Sequence, residues 1–284
     1  MRNHEQMTRS ILLLLLGFCI MPQQQILAQN NDFTQNIIAG IEALKQDSLD
    51  KAERHFILAL QENPSEKSSV VAYQYLGQVR ARQSRYEEAL KAFSDGLVLS
   101  PTSESLLMDR SSLYMQMGKE DRALCDLCDV LTLNPDHPEA LFLRAYIYSK
   151  QHLNAKARLD YERLVKAQPQ NKQARLGLAL LCEKDRRPRE ALEHLDVLLR
   201  YWPDDADAYA IRGGIYQGRR QYEAALQDMN KAISLQPENP DFYISRALLY
   251  KDFRKTSLAI ADFRTAIALG ASAQECAAMM QELK

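Results

Sequence analysis

An excess of either charge is missing from this chain: 36 lysines and arginines stand against 37 aspartates and glutamates, a formal net charge of −1. That balance removes the general electrostatic pull by which basic proteins find nucleic acid, and no nucleic-acid motif accompanies it. Glycine-rich phosphate loops are absent, as is any serine or cysteine set beside a histidine for nucleophilic catalysis. His55, His137, His152 and His194 lie far apart in the chain. The single tryptophan, Trp202, adjoins Pro203 and reads as a packing residue at a helix end. One CxxC, Cys125–Cys128, has no second cysteine pair or histidine pair to complete a zinc site. No catalytic residue, metal ligand or cofactor is therefore assigned, and the chain does not read as an enzyme.

Long apolar runs are nearly absent too. The one present, Ile11–Met21, is 11 residues long, well short of the roughly 20 that a membrane-spanning helix needs. Arg2 and Arg9 precede it, and a polar stretch ending Ile26-Leu27-Ala28 follows. Residues 1–28 read as a secretory signal peptide cleaved after Ala28. Phe18 rather than a small residue precedes Cys19, so lipid attachment is not expected. The remaining chain carries a net −2 and no transmembrane segment. It is expected to be exported: periplasmic in a Gram-negative bacterium, secreted otherwise.

What the sequence does have is a period. An alanine recurs at Ala52, Ala89, Ala123, Ala157, Ala191, Ala225 and Ala259, every 34 residues after the first gap. Six units close on a proline: Pro64, Pro101, Pro135, Pro169, Pro203 and Pro237. Within each unit the apolar residues fall at helical spacing on two segments separated by a turn. Each segment is about three turns long, marginal in water alone. A fixed period of two-helix units that cannot bury an apolar face unaided is the mark of a solenoid.

These units resemble tetratricopeptide repeats. Four residues after the alanine stand Phe56, Phe93, Tyr161 and Phe263, the aromatic the family favours, with Leu127, Leu195 and Met229 in the other units. Leu76-Gly77 matches the Leu-Gly of the first helix, and Gly40 and Gly213 match its small residue. Tyr114, Tyr148, Tyr216 and Tyr250 match its tyrosine, while Arg80, Cys182 and Arg175 depart from the pattern. The resemblance implies an all-α, right-handed superhelical solenoid of seven helix-turn-helix repeats over 29–271. The repeats lie near 33–66, 70–103, 104–137, 138–171, 172–205, 206–239 and 240–271. Ser272–Glu275 is a capping box, so 272–284 is expected to form a closing helix.

The resemblance also implies binding rather than catalysis, with first helices lining the partner surface. Beside the packing face those helices carry Met108, Met115, Phe142, Tyr146, Leu176, Leu180, Ile244 and Leu248. That apolar stripe suits a peptide or protein segment. Ile37, Ile41, Gln74 and Gln78 stand where the family's carboxylate clamp places Lys and Asn, so a clamp of that type is not expected. Arg186, Arg220 and Arg254 share one turn position and form a candidate basic ridge. The alternative reading is a thiol-redox accessory acting through Cys125 and Cys128, weakened by the placement of the CxxC inside a helix.

Comparing the repeats with one another isolates a charge pair. Arg110/Asp126, Arg144/Asp160, Arg212/Asp228 and Arg246/Asp262 lie 16 residues apart at equivalent positions. In the other three repeats both members are missing together: Ala39/His55, Leu76/Ala92 and Leu178/His194. Joint gain and loss points to side chains that meet, a ladder of structural ion pairs.

Close backbone approach at the recurring alanine sets the first test. Ala225→Leu is expected to overpack its layer and lower stability by about 1–3 kcal/mol in chemical denaturation.

Overall fold

A computed structural model describes residues 23–62 and 67–283 of the chain, with side chains from residue 32 onward. The apolar run Ile11–Met21 and most of the expected leader lie outside the described residues. Every regular element among the described residues is helical, and no helix there is long and apolar enough to cross a membrane.

The helices fall into two compact units, up to Leu133 and from Asn134 onward. The first holds α1 (Gln23–Lys45), α2 (Leu49–Glu62), α3 (Val70–Arg82), α4 (Tyr86–Leu99), α5 (Glu104–Gln116) and α6 (Glu120–Leu133). The second holds α7 (Pro138–Lys150), α8 (Asn154–Ala167), α9 (Lys172–Lys184), α10 (Pro188–Tyr201), α11 (Ala206–Gly218), α12 (Tyr222–Leu235), α13 (Pro240–Asp252), α14 (Thr256–Ala268) and α15 (Ala273–Gln281). Successive helices form seven pairs, each packed on its neighbours within its unit, with α15 laid on the last pair. The 34-residue period runs through the Leu133–Asn134 division without a change in spacing.

Local chemistry sets the helix ends. Side chains of Ser103, His137, Asn171, Asp205 and Asn239 accept a backbone N–H at the start of first helices, satisfying donors that have no partner inside the helix. At the other end of each repeat, Ser100, Gln168, Trp202 and Gln236 leave the helical region with ψ of 70–83°. Each directly precedes a proline, whose Cδ disfavours helical backbone at that residue. Trp202 itself corrects the expectation of packing: it is 48% exposed, because it lies past the last helical turn. Its indole donates to the Gln170 carbonyl oxygen at 3.1 Å.

Between the helices of a pair the chain reverses the same way seven times. Asp47, Ser84, Gly118, His152, Arg186, Arg220 and Arg254 all have φ between 55° and 70°, the left-handed region. The next residue's N–H bonds back across the turn, as in Lys119 to Tyr114 and Lys255 to Tyr250, both 2.8 Å. This is the helix-ending motif that glycine makes cheapest, yet only Gly118 supplies one.

The core is built at the repeating alanines, all seven of which are fully buried. Beside each sits the residue four positions on, from Phe56 to Phe263, and these too are buried. In the first two repeats the ring lies flat on a glycine of the facing helix. A Cβ at Gly40 would come within 2.6 Å of Phe56, and one at Gly77 within 2.3 Å of Phe93. In the closing helix, Ser272 caps the Glu275 N–H and Cys276 is buried. Met279, Met280 and Leu283 join the cluster around Ala247, Ala259 and Phe263, covering apolar surface that the end of a repeat stack would expose.

Gly118 isolates the backbone contribution of the turns, since a Cβ there would meet nothing within 4 Å. Gly118→Ala should lower stability by about 1 kcal/mol through left-handed backbone strain alone, read as a shift in denaturation midpoint with unchanged slope.

Candidate functional site

Each Arg/Asp couple closes inside its own repeat as a two-point clasp. Arg144 Nε and Nη2 donate to the Asp160 carboxylate at 2.8 and 2.7 Å. Arg110–Asp126, Arg212–Asp228 and Arg246–Asp262 repeat that geometry at 2.7–2.9 Å. The aspartate side chains are 4–9% exposed and the guanidinium groups 19–21%. The hydrogen bonds that Arg110, Arg212 and Arg246 donate to their aspartates hold them above the ordinary arginine pKa, against the opposing effect of burial. The third nitrogen reaches the preceding repeat: Arg110 Nη1 to Ser94 at 3.1 Å, Arg212 to Asp196 at 2.8 Å, Arg246 to Asn230 at 2.7 Å. One side chain thus ties a helix pair together and binds it to its neighbour. The geometry is structural, with both members sequestered in the packed layer.

Where this clasp is missing, other groups fill the layer. In the second repeat Arg80 Nε donates to Glu53 at 2.9 Å, and Arg85 reaches the same carboxylate at 2.6 Å. Burial would raise the Glu53 carboxyl, but the bonds from Arg80 and Arg85 outweigh it and leave the pKa lowered. In the fifth repeat Leu178 is buried and His194 takes the aspartate's place. Burial first, then Arg175 and Arg158, push that imidazole below the usual histidine range.

The eight stripe residues do not share one environment. Met108 is buried and Met115 half-buried. Leu176 packs with the Leu195–Leu199 cluster. Ile244 and Leu248 pack into the cluster that α15 completes, so the closing helix draws them into the core. Phe142 sits against Tyr161, ring centroids 6.2 Å apart. Tyr146 and Leu180 alone among the eight are exposed, at 48% and 40%. The two come together at one place.

That place is a recess of about 350 Å³ in the second unit, walled by α7, α8 and α9. Tyr146, Leu180 and Leu181 supply its apolar wall and Tyr161 and Gly177 line it between them, with Lys150, Glu183 and Lys184 also at its edge. Gly177 lets the Tyr161 ring pack closely against α9. A Cβ there would lie 2.6 Å from the Tyr161 ring, and equivalent positions hold Tyr75, Asp109, Leu143, Ile211 and Ser245. Burial pushes the Tyr161 hydroxyl up to about 12 while a hydrogen bond with Ser149 opposes it, so the phenol stays neutral. A broader, more open hollow of about 570 Å³ lies over Glu193, Asp196, Val197, Arg200 and Arg212. Two of its charged groups, Arg212 and Asp196, are already engaged with each other at 2.8 Å. In the first unit the corresponding face is polar: Gln74 and Gln78 both donate to Asp109, at 2.7 and 2.8 Å.

Comparison with known proteins follows the same lines. The family model described as tetratricopeptide repeat matches residues 39–104, 148–206 and 183–240, more than half of the chain. The chain belongs to the tetratricopeptide repeat family. No curated protein matches the sequence. Among solved structures, a tetratricopeptide repeat protein from Parabacteroides merdae is 22% identical, with a TM-score of 0.66 over 89% of this chain and 99% of that one. PilF of Pseudomonas aeruginosa is 16% identical, TM-score 0.62, over 80% and 99% of the two chains. YrrB, a tetratricopeptide repeat protein with an unusual peptide-binding site, is 20% identical, TM-score 0.55, over 64% and 92%. At these identities the likeness is one of fold.

The tetratricopeptide repeat is a scaffold for protein–protein interaction and is generally non-catalytic. Among the described residues no group of three His, Cys, Asp or Glu is placed to hold a metal. Cys125 is exposed, Cys128 half-buried, and neither forms a disulfide; both lie in the interior of α6. Arg186, Arg220 and Arg254 stand at the tips of three turns, all exposed.

Two features of this repeat array went unread in the sequence although the signal was there. Tyr114, Tyr148, Tyr216 and Tyr250 occur in just the four repeats that carry the Arg/Asp clasp. Arg110, Arg144 and Arg246 lie about 6 Å from the tyrosine four residues on. Gly177, the outlier at its position, marks the recess.

The clasp predicts strong coupling. Arg144→Leu should destabilise by about 3 kcal/mol, the lower end of the range for breaking a buried pair because the guanidinium is partly wet. The double variant with Asp160→Leu should recover part of that loss in a double-mutant cycle; additive effects would contradict the coupling.

Proposed function

We propose that this chain is an exported, non-catalytic scaffold that binds a protein segment on the first-helix face of its second unit, seating an apolar anchor side chain in the recess between Tyr146 and Leu180. The carrying observation is the recess itself: two exposed apolar side chains from successive first helices flank a hollow that Tyr161 and Gly177 also line. A buried core would have no use for it. A few apolar side chains entering such a depression dominate the binding energy of a peptide, while surrounding contacts exclude water. The Lys150, Glu183 and Lys184 edge supplies polar contacts that fix direction. YrrB, similar in fold, has a peptide-binding site, in keeping with a peptide or protein segment as the partner. Export rests on the basic–apolar–small pattern of residues 1–28, with the periplasm as destination in a Gram-negative cell and the exterior otherwise.

A displayed random-peptide library selected on the chain from residue 29 onward tests the reading. Enriched peptides should share a large apolar or aromatic anchor. They should bind Leu180→Glu and Tyr146→Glu at least tenfold more weakly, both variants remaining folded because the side chains are exposed. Enriched peptides that bind both variants unchanged would overturn the assignment.

A further inference from the structure

The inter-helix turns line one edge of each unit, and the two edges differ in how their cations are spent. Contacts from turn to turn fix the alignment. Arg82 pairs with Asp47 and Lys119 with Glu87 in the first unit, and Arg158 with Asp185 in the second, where Gln217 also donates to Asp252. In the first unit each of these turn cations has a carboxylate, including Arg85 with Glu53 and Glu88.

In the second unit Arg186, Arg219, Arg220 and Arg254 are exposed and their side chains make no hydrogen bond or ion pair among the described residues. Several of the nearby acids are already engaged: Asp185 with Arg158 and Arg187, Glu190 with Arg187, Asp252 with Gln217. Three of these arginines also occupy left-handed backbone, φ 56–59°, where a side chain costs more than glycine would. The fold gains no side-chain hydrogen bond or ion pair from Arg186, Arg220 or Arg254 among the described residues. Three successive repeats nevertheless hold a guanidinium at each turn tip.

We propose that this edge docks a carboxylate-rich segment of a partner protein, running along the three turns. An array of guanidinium forks, each able to take a carboxylate through two parallel hydrogen bonds, fits an acidic polypeptide. A bilayer surface is less well matched, because interfacial docking uses free aromatic rings beside the cations. Here Phe253 is committed, stacked on Tyr222 at 5.3 Å and covered by Lys255 at 4.2 Å. The chain's overall charge of −1 supplies no general pull on anions, so any attraction here is local to the edge. This surface is independent of the recess, and either can fail alone.

The left-handed positions allow a test in which charge and stability part company. A labelled peptide of about ten glutamates, at about 3.3 Å per residue long enough to pass three stacked turns, is titrated against the chain in low and high salt. It should bind in low salt and weaken as salt rises. The triple variant Arg186→Gly, Arg220→Gly, Arg254→Gly should bind at least tenfold more weakly while its thermal midpoint stays level or rises. Lys51→Gln, Arg54→Gln, Lys91→Gln removes equal charge from the first unit and should leave binding intact. No binding in low salt, equal binding by the glycine variant, or equal loss in the control would overturn the proposal. So would vesicles rich in phosphatidylglycerol that bind through these arginines when the glutamate peptide does not.

Discussion

Everything in this chain depends on how closely two short helices can approach at a fully buried alanine. The contact recurs at Ala52, Ala89 and five later alanines. It leaves a gap of one shape, filled by Phe, Tyr, Leu or Met four residues on. A helix pair made this way still exposes an apolar side, so the next pair must cover it. The final one is covered by α15 through Cys276, Met279 and Met280. Stability is therefore shared between neighbours rather than stored in a single centre, and small local departures in one repeat are tolerated by the rest.

Those departures are where function enters. The Tyr161 ring packs against Gly177, and both line a recess beside the exposed Tyr146 and Leu180. The Arg/Asp clasp works in the opposite sense. It fastens a pair internally and reaches back to the preceding repeat through Ser94, Asp196 or Asn230. The fifth repeat, which has Leu178 and His194 in place of the clasp, contributes one wall of the recess through Gly177, Leu180 and Leu181. Rigid binding between repeats and an opening at one joint are thus set by different positions of the same 34-residue unit.

Much of this was legible because the chain compares itself with itself. Seven copies reveal the alanine, the wedge residue and the paired Arg and Asp without any relative to consult. Individual exposure was harder to read. Leu248 holds the repeat position of Tyr146 and Leu180, and Ile244 that of Phe142 and Leu176, yet the closing helix recruits both into its own cluster, a tertiary event that periodicity does not encode. Met108 is buried for a similar reason, drawn into contact by neighbouring helices. Trp202 went the other way: an aromatic beside a proline looks like packing, but the chain has left the helix at that point. The division at Leu133–Asn134 leaves no mark on the period at all.

We propose that the repeat 138–171 and the one that follows it bind a partner through the recess between Tyr146 and Leu180. A crystal structure of the chain bound to its tightest library-selected peptide tests this most directly. The account predicts an apolar peptide side chain in van der Waals contact with Tyr146, Tyr161 and Leu180, over Gly177. A peptide lying on the second-helix face, with that recess empty, would contradict it.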